Sequence, residues 1–162
     1  MSHKNEILKL LATVTDPEVP VLSILDLGIV YDVKTNGEAV EIIITPTYSG
    51  CPAMDTIRMN IRMVLLENGY SNPIITTVLS PAWTTDWMSE EGKQKLKAYG
   101  IAAPNPRQQV CQPGLFAANE GVQCPQCNSW HTHRISEFGS TACKSLYQCD
   151  DCKEPFDYFK CH

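Results

Sequence analysis

Cysteine carries most of the candidate chemistry in this 162-residue chain, which contains eight cysteines, seven of them after residue 110. Four form two Cys-x-x-Cys pairs separated by 21 residues: Cys124 with Cys127, and Cys149 with Cys152. Each pair can direct two sulfurs at one ion, and a β-hairpin between the pairs would complete a tetrahedral site. The spacing therefore predicts a four-cysteine zinc ribbon, in which a metal replaces the core that about 40 residues cannot build.

The identity of the ion and the roles of nearby ligands stay open at this stage. Zinc is the default, but the same four-thiolate geometry takes iron in rubredoxin-like sites. Four further candidate ligands lie near the two pairs: His131, His133, Cys143 and Cys161. We expect a closed ribbon without them, although Cys143 and Cys161 could form a second thiol site with each other or with Cys51. Cys111 is interpreted as incidental.

Cys51 stands apart in the stretch Thr45-Pro46-Thr47-Tyr48-Ser49-Gly50-Cys51-Pro52, between an apolar strand pattern and a helical pattern. Pro46 and Gly50 make the chain leave the strand, and Pro52 suits the first helical position. Cys51 is then at or beside the N-cap, where exposed N–H groups and the helix dipole favour a thiolate. The functional interpretation is a thiol with raised reactivity or metal affinity. The alternative is a small buried residue that closes a strand-to-helix corner.

Three carboxylates precede this loop in an irregular segment, residues 16–28, which also contains two prolines. They belong to Asp16, Glu18 and Asp26. The segment could be a wall of a site facing Cys51, or a capped and solvated connection.

The remaining pattern predicts an α+β fold, with a small helix-covered mixed sheet followed by the zinc ribbon. Expected elements are a helix over 6–13, strands over 29–33, 40–45 and 74–79, and helices over 52–68 and 89–100. Asn36-Gly37 predicts a hairpin. The strand-helix-strand order predicts a right-handed crossover between parallel strands. Trp83 and Trp87 would cap the open end of the sheet or line a pocket or partner surface.

Composition divides the chain into a first domain over 1–100, a Pro-rich linker over 101–121 and the ribbon over 122–162. The net charge of −5 and the absence of a basic run argue against a nucleic-acid partner. We identify no signal peptide and no membrane span. Paired cysteines in such a chain indicate metal in a reducing compartment, so we expect a cytoplasmic location.

Two resemblances follow from longer strings of residues. The first domain resembles the SufT-like family of iron–sulfur assembly factors, through Asp16-Pro17-Glu18-Val19-Pro20, Asp26-Leu27-Gly28-Ile29-Val30 and the Cys51 loop. The whole chain resembles the PaaD family, also called PaaJ, of accessory subunits of the phenylacetyl-CoA epoxidase. That resemblance rests on the strings Pro81-Ala82-Trp83-Thr84-Thr85-Asp86-Trp87, Tyr99-Gly100-Ile101, Ser136-Glu137-Phe138-Gly139-Ser140-Thr141-Ala142-Cys143-Lys144 and Glu154-Pro155-Phe156-Asp157-Tyr158-Phe159-Lys160-Cys161.

The resemblance implies a maturation factor for the iron–sulfur or di-iron centres of the epoxidase in aerobic phenylacetate degradation, without catalytic activity of its own. It makes Cys51 the thiolate that transiently holds iron or a cluster, with Asp16, Glu18 and Asp26 as neighbours. The implied partners are the reductase or oxygenase subunits, and a homodimer is also considered. The alternatives are a rubredoxin-like electron carrier and a non-catalytic protein-binding adaptor of the same complex.

Other functions are excluded by missing motifs. The chain has no Glu-x-x-His pairs on long helices and is too short for a di-iron carboxylate bundle. It also has no phosphate-binding Gly-rich loop and no Rossmann fingerprint, so neither ATP-driven transfer nor flavin chemistry is expected.

Overall fold

The computed structural model describes residues 3–37, 39–104 and 121–159 and divides into two compact units, Met1–Gly92 and Lys93–His162. The elements of the first unit are α1 (His3–Leu11), β1 (Val30–Asn36), β2 (Ala39–Ile44), α2 (Ala53–Glu67), β3 (Ile74–Thr77) and a 3-10 turn (Thr85–Trp87). Helix α3 (Glu90–Ala98) contains the boundary. The second unit contains β4 (Ile101–Ala102), β5 (Thr132–Ser136), β6 (Lys144–Cys149) and β7 (Pro155–Phe159).

The first unit contains a three-stranded mixed sheet in the order β1-β2-β3. Strands β1 and β2 form an antiparallel hairpin in which Asn36 pairs with Ala39, and Gly37 takes a φ of 63° in the turn. Strand β3 pairs parallel to β2, with Glu41 opposite Ile74 and Ile44 opposite Thr77. The hairpin at Asn36-Gly37 and the parallel crossover are therefore both confirmed.

Two helices supply the apolar face that the sheet requires. Helix α2 buries Ile57, Ile61 and Leu65, which recur at helical spacing, and α1 buries Ile7 and Leu11. Both helices contact the sheet, and they also contact each other. Within the described residues, no helix has both the length and the apolar character needed to cross a membrane.

The irregular segment 16–28 is an ordered part of the core. Its Leu22, Ile24 and Leu27 side chains are essentially inaccessible to solvent. Trp83 is only 4% exposed, and its Nε1 donates a hydrogen bond of 2.8 Å to the Leu27 carbonyl oxygen. Trp83 is thus a structural residue that packs against this segment and does not form an open partner surface.

Asp26 links this segment to the start of α3. Its Oδ2 accepts hydrogen bonds from the backbone N–H and hydroxyl of Ser23, at 3.0 and 2.9 Å. Its Oδ1 accepts one from the Ser89 hydroxyl at 3.1 Å. Ser89 in turn caps α3 by accepting the Gly92 N–H at 2.9 Å. Buried Asp26 therefore uses both carboxylate oxygens to hold the fold.

The second unit contains a four-stranded sheet in the order β4-β7-β6-β5. The expected linker is wrong at its first two residues, because Ile101 and Ala102 form β4, pairing parallel with Asp157 and Tyr158 of β7. Gly100, with a φ of 85°, ends α3, and burial of the two apolar side chains stabilises the new strand. Residues 105–120 of the expected linker, including Cys111, lie outside the described residues.

Asp26→Ala should lower the free energy of unfolding by about 2 kcal/mol, because it leaves buried donors of Ser23 without an acceptor. Urea unfolding followed by far-ultraviolet circular dichroism measures the change. Glu67→Ala, an exposed acidic truncation near the end of α2, is the control and should stay within about 0.5 kcal/mol of wild type. Equal stability of the two variants would contradict a structural role for Asp26.

Candidate metal centres

The four cysteines of the two pairs converge in the second unit. Their sulfurs all lie within 4.8 Å of one another, with Cys124 and Cys152 Sγ atoms 3.8 Å apart and Cys127 and Cys149 Sγ atoms 3.5 Å apart. A tetrahedral ion with metal–sulfur bonds of about 2.3 Å requires sulfur separations of about 3.8 Å. The donor set and its spacing therefore fit one tetrahedral zinc or iron ion.

The two pairs are held by the same backbone arrangement. The Cys124 N–H donates to the Ser129 carbonyl at 2.8 Å, and the Cys149 N–H donates to the Glu154 carbonyl at 3.1 Å, five residues on in each case. Asn128 and Lys153, each directly after the second cysteine of its pair, have φ values of 61° and 65°. Asparagine adopts this left-handed conformation more readily than most residues, whereas lysine carries no sequence signal for it.

Backbone N–H groups also point at the sulfurs. The Gln126 N–H donates to Cys124 Sγ at 3.4 Å. Hydrogen bonds from the backbone N–H groups of Cys152 and then Asp151 lower the pKa of Cys149 to about 7. The pKa of Cys152 is instead raised to about 12: the Glu154 N–H lowers it, but desolvation and the neighbouring sulfurs outweigh that effect. The sulfurs crowd one another, so a bound cation is needed for all four to be thiolates at neutral pH.

The other candidate ligands that the structure describes, His131, His133 and Cys143, do not join this group. Nδ1 of His131 lies 3.2 Å from an Asp151 oxygen, and Nδ1 of His133 lies 2.9 Å from an Asp150 oxygen. Cys143 is buried, with its Sγ 3.0 Å from the Thr141 hydroxyl. Cys161 lies outside the described residues. Among the residues described, the four cysteines are the only cluster of three or more His, Cys, Asp or Glu residues suited to a metal.

Cys51 lies at the entry to α2, as the sequence predicts. Its carbonyl oxygen accepts the Met54 N–H at 3.3 Å, and Pro52 already has helical φ and ψ angles of −69° and −21°. Gly50, with a φ of 83°, makes the turn that precedes it. The thiol is half-buried, so it is neither sealed in the core nor fully exposed.

The electrostatic prediction for Cys51 is wrong in sign. Burial raises the pKa of its thiol, and the negative charges of Glu18 and Asp16 raise it further. Hydrogen bonds from the Ala53 N–H and the Thr47 side chain lower it, but they do not outweigh burial. The helix N-terminus is present as expected, but burial has the larger effect on the pKa of Cys51. The environment therefore favours the protonated thiol over the thiolate.

Two of the three candidate carboxylates lie close to this thiol. Asp16 and Glu18 are near enough for their charges to raise the pKa of Cys51. The Asp26 carboxylate is instead engaged by Ser23 and Ser89. Oδ1 of Asp16 also accepts the N–H groups of Glu18 and Val19, at 2.7 and 3.0 Å, which fixes the turn. The segment is thus both a capped connection and a neighbour of the thiol. Thr47 was not singled out from the sequence.

Alkylation of Cys51 should report the raised pKa. Because carboxylate charge disfavours the thiolate, Glu18→Gln should lower the pKa and speed the reaction with iodoacetamide at pH 7 to 8. Peptide mass spectrometry resolves Cys51 from the other cysteines. Glu67→Gln is the charge-matched control, and an unchanged rate in Glu18→Gln would show that the carboxylate does not act on the thiol.

Metal content should follow the ribbon cysteines alone. Cys124→Ala should lose the ion and the β-structure of the ribbon, because three thiolates leave the tetrahedral site incomplete. Cys143→Ala removes another buried cysteine outside the cluster and should retain the metal. Elemental analysis of the purified proteins measures both, and full metal retention in Cys124→Ala would refute the site.

Two family models match separate parts of the chain. The family model described as iron-sulfur cluster assembly protein matches residues 4–68, and the one described as PaaD zinc beta ribbon domain matches residues 108–160. The first includes Cys51 with its neighbouring carboxylates, and the second includes all four clustered cysteines.

Two solved structures resemble the chain. A protein from Bacillus anthracis described as a domain of unknown function, DUF59, is 32% identical with a TM-score of 0.54, covering 57% of this chain and 90% of its own. A conserved hypothetical protein from Thermotoga maritima is 28% identical with a TM-score of 0.51, covering 59% of this chain and 94% of its own. Both support the fold over roughly the share of the chain that they cover.

Two curated relatives are similar in sequence. An "Fe-S protein maturation auxiliary factor" from Porphyromonas gingivalis (strain ATCC BAA-308 / W83) is 37% identical over 98 residues, covering 59% of this chain and 92% of its own. A protein from Escherichia coli (strain K12), named as a subunit of the 1,2-phenylacetyl-CoA epoxidase, is 50% identical over 157 residues, covering 97% of this chain and 92% of its own. With both units matched and nearly the whole length aligned, the chain belongs to the PaaD family.

Proposed function

We propose that this protein is a maturation factor that carries iron or an iron–sulfur cluster to metal centres of the phenylacetyl-CoA epoxidase in aerobic phenylacetate degradation. The observation that carries the proposal is the half-buried thiol of Cys51 at the start of α2, next to the charges of Asp16 and Glu18. It lies inside the region matched by the iron-sulfur cluster assembly family. One curated relative is named for the maturation of Fe-S proteins and the other for the phenylacetyl-CoA epoxidase, and the proposal combines these two roles.

A single thiol suits transfer better than storage. Iron–sulfur clusters are held by four protein ligands, and Cys51 is the one cysteine in the first 110 residues. The cargo would therefore need further ligands from the donor or from the client subunit. Exchange of those ligands would move the iron without breaking a complete protein site.

The local charges would make this binding reversible. Because burial and the two carboxylates favour the protonated thiol, iron must displace a proton to bind. Asp16 and Glu18 are oxygen donors that could also attract the cation. Asp26 would act indirectly, by holding the segment that presents them. The cytoplasm, where thiols stay reduced, is the compartment in which this chemistry would operate.

The four-cysteine ribbon would have a separate, structural role with a permanent ion. Cys124, Cys127, Cys149 and Cys152 would hold that ion, and zinc would supply rigidity without redox chemistry. A rubredoxin-like carrier is the second candidate, because backbone N–H groups point at the sulfurs as they would around iron. A colourless protein with one zinc per chain would exclude it.

Cys51→Ala should fold normally and yield an epoxidase deficient in iron when it is co-produced with the reductase and oxygenase subunits. Iron loading should fail because Cys51 is the one cysteine of the first unit. Iron content and activity of the purified subunits measure the effect. Ser49→Ala, an exposed change in the same loop, should support normal loading. Full iron loading with Cys51→Ala would reject the proposed function.

A further inference from the structure

The four ribbon cysteines differ in how far solvent reaches them. Cys124 and Cys149 have a relative exposure of 0%, and Cys152 is partly buried. Cys127 is exposed, although its Sγ belongs to the same four-sulfur cluster. Oxidation of a cysteine requires both thiolate character and access to the oxidant. Because metal binding gives all four sulfurs thiolate character, access distinguishes Cys127 from the other three.

Packing in the second unit explains this difference. Cys124 and Cys149 belong to the buried apolar cluster of the unit, and Cys152 packs against it. Within the residues described, Cys127 is not a member of this cluster and lies on a turn next to the exposed side chain of Asn128. Three of the sulfurs are therefore held by the core, whereas the fourth is attached to a turn in contact with water.

The exposed sulfur has a neighbour that is suited to disulfide formation. Cys127 Sγ lies 3.5 Å from Cys149 Sγ, a shorter separation than the 3.8 Å between the sulfurs of Cys124 and Cys152. A disulfide bond is about 2.05 Å long, so the two sulfurs must approach each other by about 1.5 Å. Movement of Cys127 supplies this approach without disturbing the apolar cluster. The bond would join two residues that are 22 positions apart, one from each Cys-x-x-Cys pair.

We propose that Cys127 and Cys149 form a peroxide-sensitive switch in the zinc-loaded ribbon. Cys127 is the thiolate that reacts with a hydroperoxide, and Cys149 is the thiolate that closes the disulfide. This inference rests on zinc occupation of the ribbon, which belongs to the proposed function, and it uses no property of Cys51. It gives the ribbon a sensing role in addition to its structural role.

The chemistry consists of two displacement steps when the oxidant is hydrogen peroxide. The Cys127 thiolate attacks one peroxide oxygen, the O–O bond breaks, and a sulfenic acid forms with loss of hydroxide. The Cys149 thiolate then attacks the Cys127 sulfur, and a second hydroxide leaves as the disulfide forms. The two sulfurs together lose two electrons, and the peroxide gains them and takes up two protons to become two waters. Only two thiolates then remain for the zinc, too few for a structural site, so the ion dissociates.

Reduction would reverse the switch. A dithiol transfers two electrons to the Cys127–Cys149 disulfide, which becomes two thiols while the reductant becomes a cyclic disulfide. The thiols then lose their protons as they bind zinc again. Because the disulfide spans the β-hairpin, it keeps the two cysteine pairs together while the ion is absent. The zinc would therefore be permanent in a reducing compartment and lost where hydroperoxides accumulate.

The zinc-loaded full chain tests the proposal directly. The protein is treated with a slight excess of hydrogen peroxide, a colorimetric indicator follows zinc release, and dimedone traps sulfenic acid in a parallel sample. Trypsin digestion without reductant then yields the peptides 108–134 and 145–153, which contain the two cysteine pairs. We expect release of about one zinc per chain, early dimedone labelling at Cys127, and a disulfide that tandem mass spectrometry assigns to Cys127 and Cys149. A dithiol with added zinc should restore the metal.

Two histidine variants separate the position of Cys127 from the number of sulfurs. Zinc also accepts three cysteines and one histidine, so Cys127→His and Cys152→His can each keep four ligands. Cys127→His should release zinc at least about tenfold more slowly than wild type, because the accessible sulfur is gone. Cys152→His makes the same ligand change at a partly buried position and should remain sensitive. Cys143→Ala removes a buried cysteine outside the cluster and should release zinc at the wild-type rate.

Three results would overturn the proposal. The first is a wild-type protein that keeps its zinc, or releases it without the Cys127–Cys149 disulfide, for example through a bond within one pair or to Cys143. The second is equal protection by Cys127→His and Cys152→His. The third is loss of peroxide sensitivity in Cys143→Ala. If a histidine variant fails to hold zinc, the disulfide assignment in wild type decides the question. Cys51→Ala should release zinc as wild type does, so this outcome is separable from the test of iron transfer.

Discussion

The position of Cys51 depends on the parallel pairing of β2 with β3. Parallel neighbours cannot be joined by a tight turn, so the chain must leave β2, form α2 and return. The Thr45 N–H donates to the Ile29 carbonyl at 2.8 Å, and the Val78 N–H donates to the Ile44 carbonyl at 2.9 Å. These hydrogen bonds fix the end of the sheet at which the chain leaves β2. The loop that carries the thiol is thereby fixed by backbone pairing that does not involve the thiol itself.

On the proposed function, the protein would use cysteine in two chemically opposite ways. In the ribbon, four converging sulfurs and their N–H donors favour tight, permanent occupation by one ion. At the start of α2, burial and nearby carboxylates raise the pKa of one thiol, which would favour exchange. Because affinity rises with the number of thiolate ligands, the same ion would remain in the first site and leave the second.

Patterns that act over a few residues were readable in the sequence. Asn36-Gly37 predicted its hairpin, the apolar spacing predicted α2, and the Cys-x-x-Cys pairs predicted the cluster. The features that were missed depend on contacts distant in sequence. Ile101 becomes a strand only because β7 is available to pair with it, and the pKa of Cys51 follows from burial and from Glu18, which is more than thirty residues away.

The central claim is that Cys51 holds iron as exchangeable cargo while the ribbon keeps its own ion. Anaerobic equilibrium dialysis of the protein against ferrous iron and a small thiol, which can supply the remaining ligands, followed by metal analysis and ultraviolet-visible spectra, tests it most directly. The account predicts that wild type binds iron beyond its ribbon metal at equilibrium and that Cys51→Ser loses this iron alone. Iron retention that is the same with and without the Cys51 thiol would contradict the account.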